Sequence, residues 1–487
     1  MGATMKLVVF GLGNYFQIQK SKLWSLPDVE ITAFTDNNCA LWGQTVEKVP
    51  IISPADILSA GFDKVVIVSL YVSEIYKQLL ELGVERNKII SWPHFWAERM
   101  KGQMEVFAPE VLTNECRKKL LIISNDLNYD GASLAAIHAA EAAGRFYSVV
   151  LAVPAGNKKL IMETTAAGIT VVVCAALPWT GEAERNWMEQ FAAVLVNTYP
   201  MIESVLEIRK FRPVLWWIHE SAGNYPIVEM QYPDGLPERK FSDVHLCAVS
   251  GIARRNFNIV YPGQCSMILP TGIPDKRKKK EKESQNFRMV FAVIGVVYEQ
   301  KGQDFFLEAA EKLDAGLEAE FWIIGRMDDT AFSGKIREKA ERMRSVRLLG
   351  ELTREEMDVI FPEIDVVVCA SQEETLSITV IEGMMWEKIP IATDNTGIAD
   401  YIENEKNGFL VTYRDVDLLA EKMKWIVAHK DELAKMRKAA RKTYEANFSM
   451  GRFGENLKWM LCEAEREWAE QKEKNSGKKK TEKQRQE

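Results

Sequence analysis

Short apolar runs, most of them rich in Val and Ile, alternate with helical stretches along almost the whole chain, and this alternation restricts the fold more than any other feature. Runs apolar on both faces suit strands that are buried on both sides, and intervening helices supply the crossovers of parallel βαβ units. Three sets can be read. The first comprises Leu7 to Phe10, Glu30 to Phe34 and Lys64 to Ser69, and closes near Ile89-Ile90-Ser91. The second comprises Leu120 to Ile123, Ser148 to Val153, Ile169 to Cys174, Ala193 to Asn197 and Val214 to Ile218, and runs to about Pro274. The third comprises Met289 to Ile294, Glu320 to Gly325, Val346 to Leu349, Val366 to Ala370, Ile389 to Thr393 and Gly408 to Val411, with helical sequence from about Val416 to Glu470. The chain is therefore α/β, and its 487 residues agree with three domains at roughly 100 to 200 residues each.

Two stretches break the pattern. Asp275 to Glu283 is a charge run, read as a solvated linker, with contact to anionic lipid headgroups as the sharper alternative. Gln471 to Glu487 is almost wholly polar and predicts an unstructured tail, because it has too little apolar surface to bury. The aromatic cluster Trp92-Pro93-His94-Phe95-Trp96 reads as core packing or as an interdomain contact. The seven cysteines are scattered, several of them in apolar runs, which predicts buried thiols in a reducing cytoplasm. The five histidines show no metal-ligand spacing, so no protein metal site is expected. The start of the chain lacks the pattern of an export signal, and no apolar run is long enough to span a bilayer. A pI near 5.6 argues against a nucleic-acid binder.

The stretch Asp365 to Asp394 carries the chemistry. It reads as strand, loop, helix, turn and strand, and a loop at the carboxyl end of a strand that feeds a helix N-terminus favours an anion such as a diphosphate. Glu374 lies at the helix entry, and Glu382 follows eight residues later, about two turns on if the helix begins near Thr375. One carboxylate at the mouth and one along the helix can accept hydroxyl hydrogen bonds from two parts of an extended ligand. Alone, two glutamates at this spacing are as well explained as a surface Glu and a helix Glu.

The context of that pair resembles a known family. Glu374 and Glu382 match the E-x7-E motif of retaining family 4 glycosyltransferases with the GT-B fold, and Gly383 to Gly397 and Asn407-Gly408-Phe409-Leu410-Val411 resemble the family's following segments. The resemblance spans roughly residues 116 to 465. It implies a GT-B fold of two Rossmann-like domains facing a cleft, the acceptor domain at 116–275 and the donor domain with terminal helices at 285–470, ahead of the polar tail at 471–487. It also implies a hexosyltransferase type of activity, with retention and no metal, using a nucleotide-diphosphate sugar as donor and a glycan or lipid-linked hydroxyl as acceptor, in cell-surface polysaccharide synthesis. By the same resemblance Glu382 binds the donor ribose and Glu374 the donor sugar. Lys301 and the Thr375-Leu376-Ser377 backbone bind the diphosphate. Gly131, in Asp130-Gly131-Ala132-Ser133, lies on the glycine loop, and His219 faces the reacting sugar with Glu220 beside it. Two departures stand out. Val296 occupies the place of an arginine that pairs with the lysine, which either moves the counter-charge elsewhere, with Arg326 the candidate substitute, or weakens phosphate stabilisation, and Thr375-Leu376-Ser377 replaces Gly-Phe-Gly. Asp415-Val416-Asp417, the one clear Asp-x-Asp, reads as a helix cap.

Residues 1–110 form a separate Rossmann-like α/β unit, with Gly11 and Gly13 after a strand and Asp36 at the end of the next, spaced as a ribose-binding carboxylate would be. The third glycine of that fingerprint is replaced by Phe16. The segment resembles the N-terminal domain of bacterial sugar acyltransferases, which implies a nucleotide, a nucleotide sugar or NAD as ligand; a role in packing or assembly is the alternative. The expected location is cytoplasmic, with peripheral membrane contact at the inner face if the acceptor is lipid-linked.

Overall fold

The structure, a computed structural model, describes residues 4–110, 117–179, 181–232, 235, 240–277, 288–313 and 318–486, without the side chains of Glu182 and residues 474–486. Three sheets follow one another along the chain. The N-terminal sheet is ordered Thr45–Val46, Val49–Ile52, Val29–Thr35, Met5–Phe10, Lys64–Ile67, Ile89–Ser91. The C-terminal sheet, wholly parallel, is ordered Val346–Gly350, Ala319–Ile324, Met289–Ile294, Val366–Cys369, Ile389–Thr393, Phe409–Val411. In sequence terms this is the doubly wound order 3-2-1-4-5-6, so the connection reverses direction beside the first strand and opens a crevice at the carboxyl ends there.

The apolar runs form strands because both of their faces find cover. In Met289–Ile294, Met289, Phe291 and Val293 enter one core while Val290 and Ala292 enter the other, the period-2 alternation of a strand between two helical layers. The middle sheet has the same switch between Lys119–Ile123 and Ala193–Asn197. The N-terminal sheet has it between Met5–Phe10 and Lys64–Ile67.

Four features differ from the sequence-based expectation. Strand Glu105–Phe107, assigned by sequence to the first unit, pairs antiparallel with Thr170–Val173 at the edge of the middle sheet, so the first unit ends before it. The last helix, Met450–Gln486, packs on the middle domain rather than on the C-terminal sheet's domain: Phe453, Leu457, Met460, Leu461 and Ala464 join the middle core, and Phe453 stacks on Trp217 at 5.6 Å. That helix continues through the expected unstructured tail. The tail is rich in Lys, Glu and Gln, good helix formers, and extending a docked helix avoids the nucleation penalty. Finally, the described start of the charge run is docked rather than solvated. Asp275 pairs with Arg441, Lys276 with Asp358 at 2.9 Å and Arg277 with Glu387, while residues 278–283 lie outside the described residues.

The aromatic cluster serves both readings. Trp92 and Phe95 are buried in the N-terminal core, and His94 packs on Trp179 of the middle domain at 4.2 Å. Cys174, Cys247, Cys265 and Cys369 are buried, Cys39 and Cys462 are exposed, and Cys116 lies outside the described residues. Among the described residues no helix is long and apolar enough to cross a membrane.

Candidate active site

The switch point of the C-terminal sheet lies between the carboxyl ends of Met289–Ile294 and Val366–Cys369. After the first of these strands the chain turns at Gly295, whose φ of 146° suits glycine, and Lys301 closes the short 3-10 turn Glu299–Lys301. Gly302 then adopts φ 68° and starts helix Gln303–Glu311; a Cβ on it would collide with the Ala370 carbonyl. This close approach brings the two loops together. Lys301 Nζ donates to Glu374 Oε1 at 2.8 Å, and Ser371 Oγ and Cys369 Sγ donate to Glu374 Oε2 at 3.0 and 3.3 Å.

Both members of the pair are mostly buried, with 23% and 18% of their side chains exposed. Burial alone would push the Glu374 carboxyl up, but the adjacent ammonium overrides it and holds the carboxyl below its ordinary range, helped by the Cys369 and Ser371 donors. Burial alone would likewise lower Lys301, and Glu374 reverses that so that the amine stays charged well above neutrality. The Cys369 thiol is pushed up to about 12 by burial and by Glu374, so it is a neutral donor here.

The sequence places the helix entry too early. Gly397 N donates to the Glu374 carbonyl at 2.8 Å in an isolated bridge, Ser377 has extended backbone, and the helix is Ile378–Met385. Glu382 is therefore about one turn into the helix rather than two. Among the described residues, no protein acceptor takes the N–H groups of Thr375, Leu376 or Ser377. They lie in the segment between Glu374 and the helix, an arrangement suited to an anion despite the missing glycines. Glu382 is half-buried and its carboxylate has no hydrogen-bond partner among the described residues; burial raises its carboxyl, with Arg354 and Lys276 acting against the rise.

Arg326, the candidate for the place left by Val296, has an exposed side chain bonded to Asp328 at 2.9 Å. Asp415 accepts from Leu418 N at 2.9 Å and is the N-cap of Val416–Ala428, as its sequence context predicts.

Across the cleft, Gly131 begins helix Gly131–Ala143 behind the N-cap Asp130, and a Cβ on it would stand 3.4 Å from Ile378 Cδ1 at the donor helix entry. His219 follows strand Val214–Ile218, edge-on to Trp217 at 4.4 Å, with a buried Nε2 that has no protein partner. Burial lowers it to about 3, so the imidazole is neutral near pH 7 and can exchange hydrogen bonds with a hydroxyl but does not supply a positive charge. Glu220 is a structural acceptor: its two oxygens take Tyr199 N at 2.8 Å and His219 N at 2.9 Å, while burial lifts its carboxyl to about 7. Beside it, Thr198 holds φ 82°, rare for a β-branched residue, at the carboxyl end of Ala193–Asn197.

Sequence reasoning missed Glu373 and Asn256. Glu373 Oε1 accepts from Ala222 N at 3.1 Å and from Asn256 Nδ2 at 2.9 Å, joining the two sides of the cleft. Position beside Glu374 was the only available signal for Glu373, and Asn256 had none.

In the N-terminal unit, Gly11, Gly13 and Asp36 do come together, on a cavity of about 490 Å³ also lined by Asn37, Ser69 and Gln78. Asp36 is already engaged, however, accepting from Leu12 N and Asn38 N, each at 2.8 Å, so its first task is to hold the glycine loop. Gly11 has φ 106° and lies against the Val68 carbonyl, where a side chain would not fit.

Comparison with known proteins agrees with this geometry. Residues 274–443 match the family model described as glycosyl transferases group 1, and residues 3–90 match a model described as C2185-like, N-terminal. A Klebsiella pneumoniae protein described as an uncharacterized 41.2 kDa protein in the cps region is 26% identical over 178 residues, 36% of this chain and 48% of that protein. The chain spans about half the length or less of the curated relatives it matches. Among solved structures, Anabaena Alr3699/HepE in complex with UDP and glucose has a TM-score of 0.58 at 14% identity over 71% of this chain and all of that one. The lipopolysaccharide outer core galactosyltransferase WaaB has a TM-score of 0.55 at 13% identity, over 71% of this chain and 99% of its own. These likenesses show the GT-B fold, with the N-terminal unit added, and the matched domain supports a glycosyltransferase.

Proposed function

We propose that this chain transfers a sugar, with retention, from a nucleoside diphosphate sugar to a hydroxyl of a glycan or lipid-linked acceptor, as a cytoplasmic step of cell-surface polysaccharide synthesis. The observation that carries this reading is the Lys301–Glu374 pair at the switch point, beside the unused N–H groups of 375–377 and one turn from the unpartnered Glu382. Lys301 retains N–H donors beyond the one given to Glu374, and with the 375–377 amides it meets the charge of the leaving diphosphate, in place of a metal ion. Glu382 accepts from the ribose and Glu374 from hydroxyls of the transferred sugar. Neutral His219 and the Gly131 loop face the reacting carbon from the other domain. The bond from the anomeric carbon to the phosphate oxygen breaks, the acceptor oxygen bonds to the same face, and the acceptor proton leaves with the diphosphate. The capture of HepE with UDP and with UDP-glucose supports the donor class.

The same reading gives the N-terminal cavity a nucleotide, a nucleotide sugar or NAD, and allows peripheral contact with the inner face of the membrane. A second reading, a subunit that binds nucleotide sugars without turning them over, is favoured by one observation: Val296 and the Asp328-bound Arg326 leave one fewer cation at the diphosphate.

A screen of nucleotide sugars for hydrolysis and transfer, with the product anomer read by NMR, separates the two. Glu374→Gln and Lys301→Met are each expected to lower kcat/KM by about 100-fold or more. Binding without turnover for every donor and acceptor would favour the second reading, and turnover unaffected by either substitution would remove these residues from the site.

A further inference from the structure

The donor and middle domains meet in two regions. One is the hinge, where Tyr444 Oη donates to the Ile273 carbonyl at 2.8 Å, Arg441 pairs with Asp275 and Lys276 pairs with Asp358. The other is the mouth of the cleft, where a Cβ added to Gly131 would stand 3.4 Å from Ile378 Cδ1 and one added to Gly397 would collide with the Ser250 side chain. Among the described residues, the hydrogen bonds that cross the cleft away from the hinge both end on one atom, Glu373 Oε1.

We infer that Glu373 is a positioning residue that latches the cleft shut and sets His219 opposite Glu374. The inference rests on the functional reading above, and it adds a residue that the E-x7-E pattern does not include. Its two partners come from different elements: Ala222 lies three residues after His219, and Asn256 lies within helix Gly251–Val260. Two donors arriving from a loop and from a helix fix the place of the Glu373 carboxylate against the middle domain more closely than a single bond does. The neighbouring Glu374 is held by Gly397 N through its carbonyl and by Lys301 through its carboxylate, so the strain of closure passes directly to the group that faces the donor sugar.

The chemistry also suits a latch that opens in every cycle. Ala222 is exposed, so water competes for its N–H, and the bond is weak enough to break when product leaves. The role requires an acceptor oxygen in this place and not a negative charge. Glutamine keeps that oxygen, and alanine removes it.

The test uses the full chain with Glu373→Ala, Glu373→Gln and Asn256→Ala. Hydrogen exchange reads the amides of 220–224, calorimetry reads UDP affinity, and transfer kinetics separate kcat from KM. Glu373→Ala is expected to speed exchange at the Ala222 amide and to lower kcat about tenfold, with UDP affinity within about twofold, because the diphosphate partners are intact. Glu373→Gln is expected to stay within about threefold of the parent, and Glu373→Ala with Asn256→Ala to be no worse than Glu373→Ala alone. Unchanged exchange and kcat in Glu373→Ala would overturn the inference, as would a glutamine variant as impaired as alanine. Should the parent turn over no nucleotide sugar, the functional reading fails by itself, and the exchange of Ala222 in the alanine variant still decides whether the latch exists.

Discussion

Replacing Lys301 by Met keeps an apolar stem of similar reach and removes the charge that holds Glu374 ionised. At 2.8 Å, the gross Coulomb attraction of the pair is about 6 kcal/mol for an effective dielectric of about 20. Desolvation offsets much of this in the intact pair, whereas deleting one partner strands the other and typically costs about 3 to 5 kcal/mol. Glu374 keeps the Ser371 and Cys369 donors, so the lower end, about 3 kcal/mol, is expected at pH 8. In the parent the folded carboxyl lies below its ordinary 4.5, so its contribution is present above that value and is lost as pH falls through the folded value. In the variant only burial and the two donors remain, so the carboxyl rises and the stranded charge is relieved as the group takes up a proton. The gap between variant and parent therefore widens as pH rises, toward about 3 kcal/mol at pH 8. The assay is urea-dependent hydrogen exchange of peptides covering 293–300 and 366–370, since a chain with three sheets is not expected to unfold in one step. A gap that is independent of pH, or that narrows as pH rises, would refute the claim that Lys301 keeps Glu374 ionised.

Gly302→Ala places a Cβ against the Ala370 carbonyl at a φ of 68°, and it is expected to destabilise the donor domain by about 1 to 3 kcal/mol, read as a lower thermal midpoint. Phe453→Ala removes a fully buried ring that stacks on Trp217, at a cost of about 3 to 5 kcal/mol. Although residue 453 follows the donor domain, hydrogen exchange should show the loss in strand Val214–Ile218 and leave strand Ile389–Thr393 protected.

Most strands of the three sheets could be read from sequence because a run such as Val366-Val367-Val368-Cys369 is stable only where both faces are covered, whereas the short strands Thr45–Val46, Val49–Ile52, His245–Ala248 and Met267–Ile268 were not. The residues brought to the donor-side switch point could be read from the motif context. Features that arise from the meeting of distant segments could not. Nothing local in Glu105-Val106-Phe107 says which sheet edge it joins, and nothing in the last helix says that its apolar stripe faces a domain completed long before it. The helix start at Ile378 was missed because the Glu374–Thr396 bridge, a contact between separate loops, keeps 375–377 out of a helix that the sequence could continue.

The path of the terminal helix sets an order of events during synthesis. Residues 274 and 464 are 190 positions apart, and the middle domain receives the last side chains of its core only when the second of them emerges. At about 5 to 20 residues per second, a ribosome needs roughly 10 to 40 s to cover that distance. Through this interval the nascent middle domain exposes the apolar strip later covered by Phe453, Leu457 and Leu461, a surface open to chaperones, while the N-terminal unit is already complete. The last helix thus acts as a completion signal: a chain that stops before residue 450 carries every residue assigned to the cleft yet lacks the piece that seals half of it.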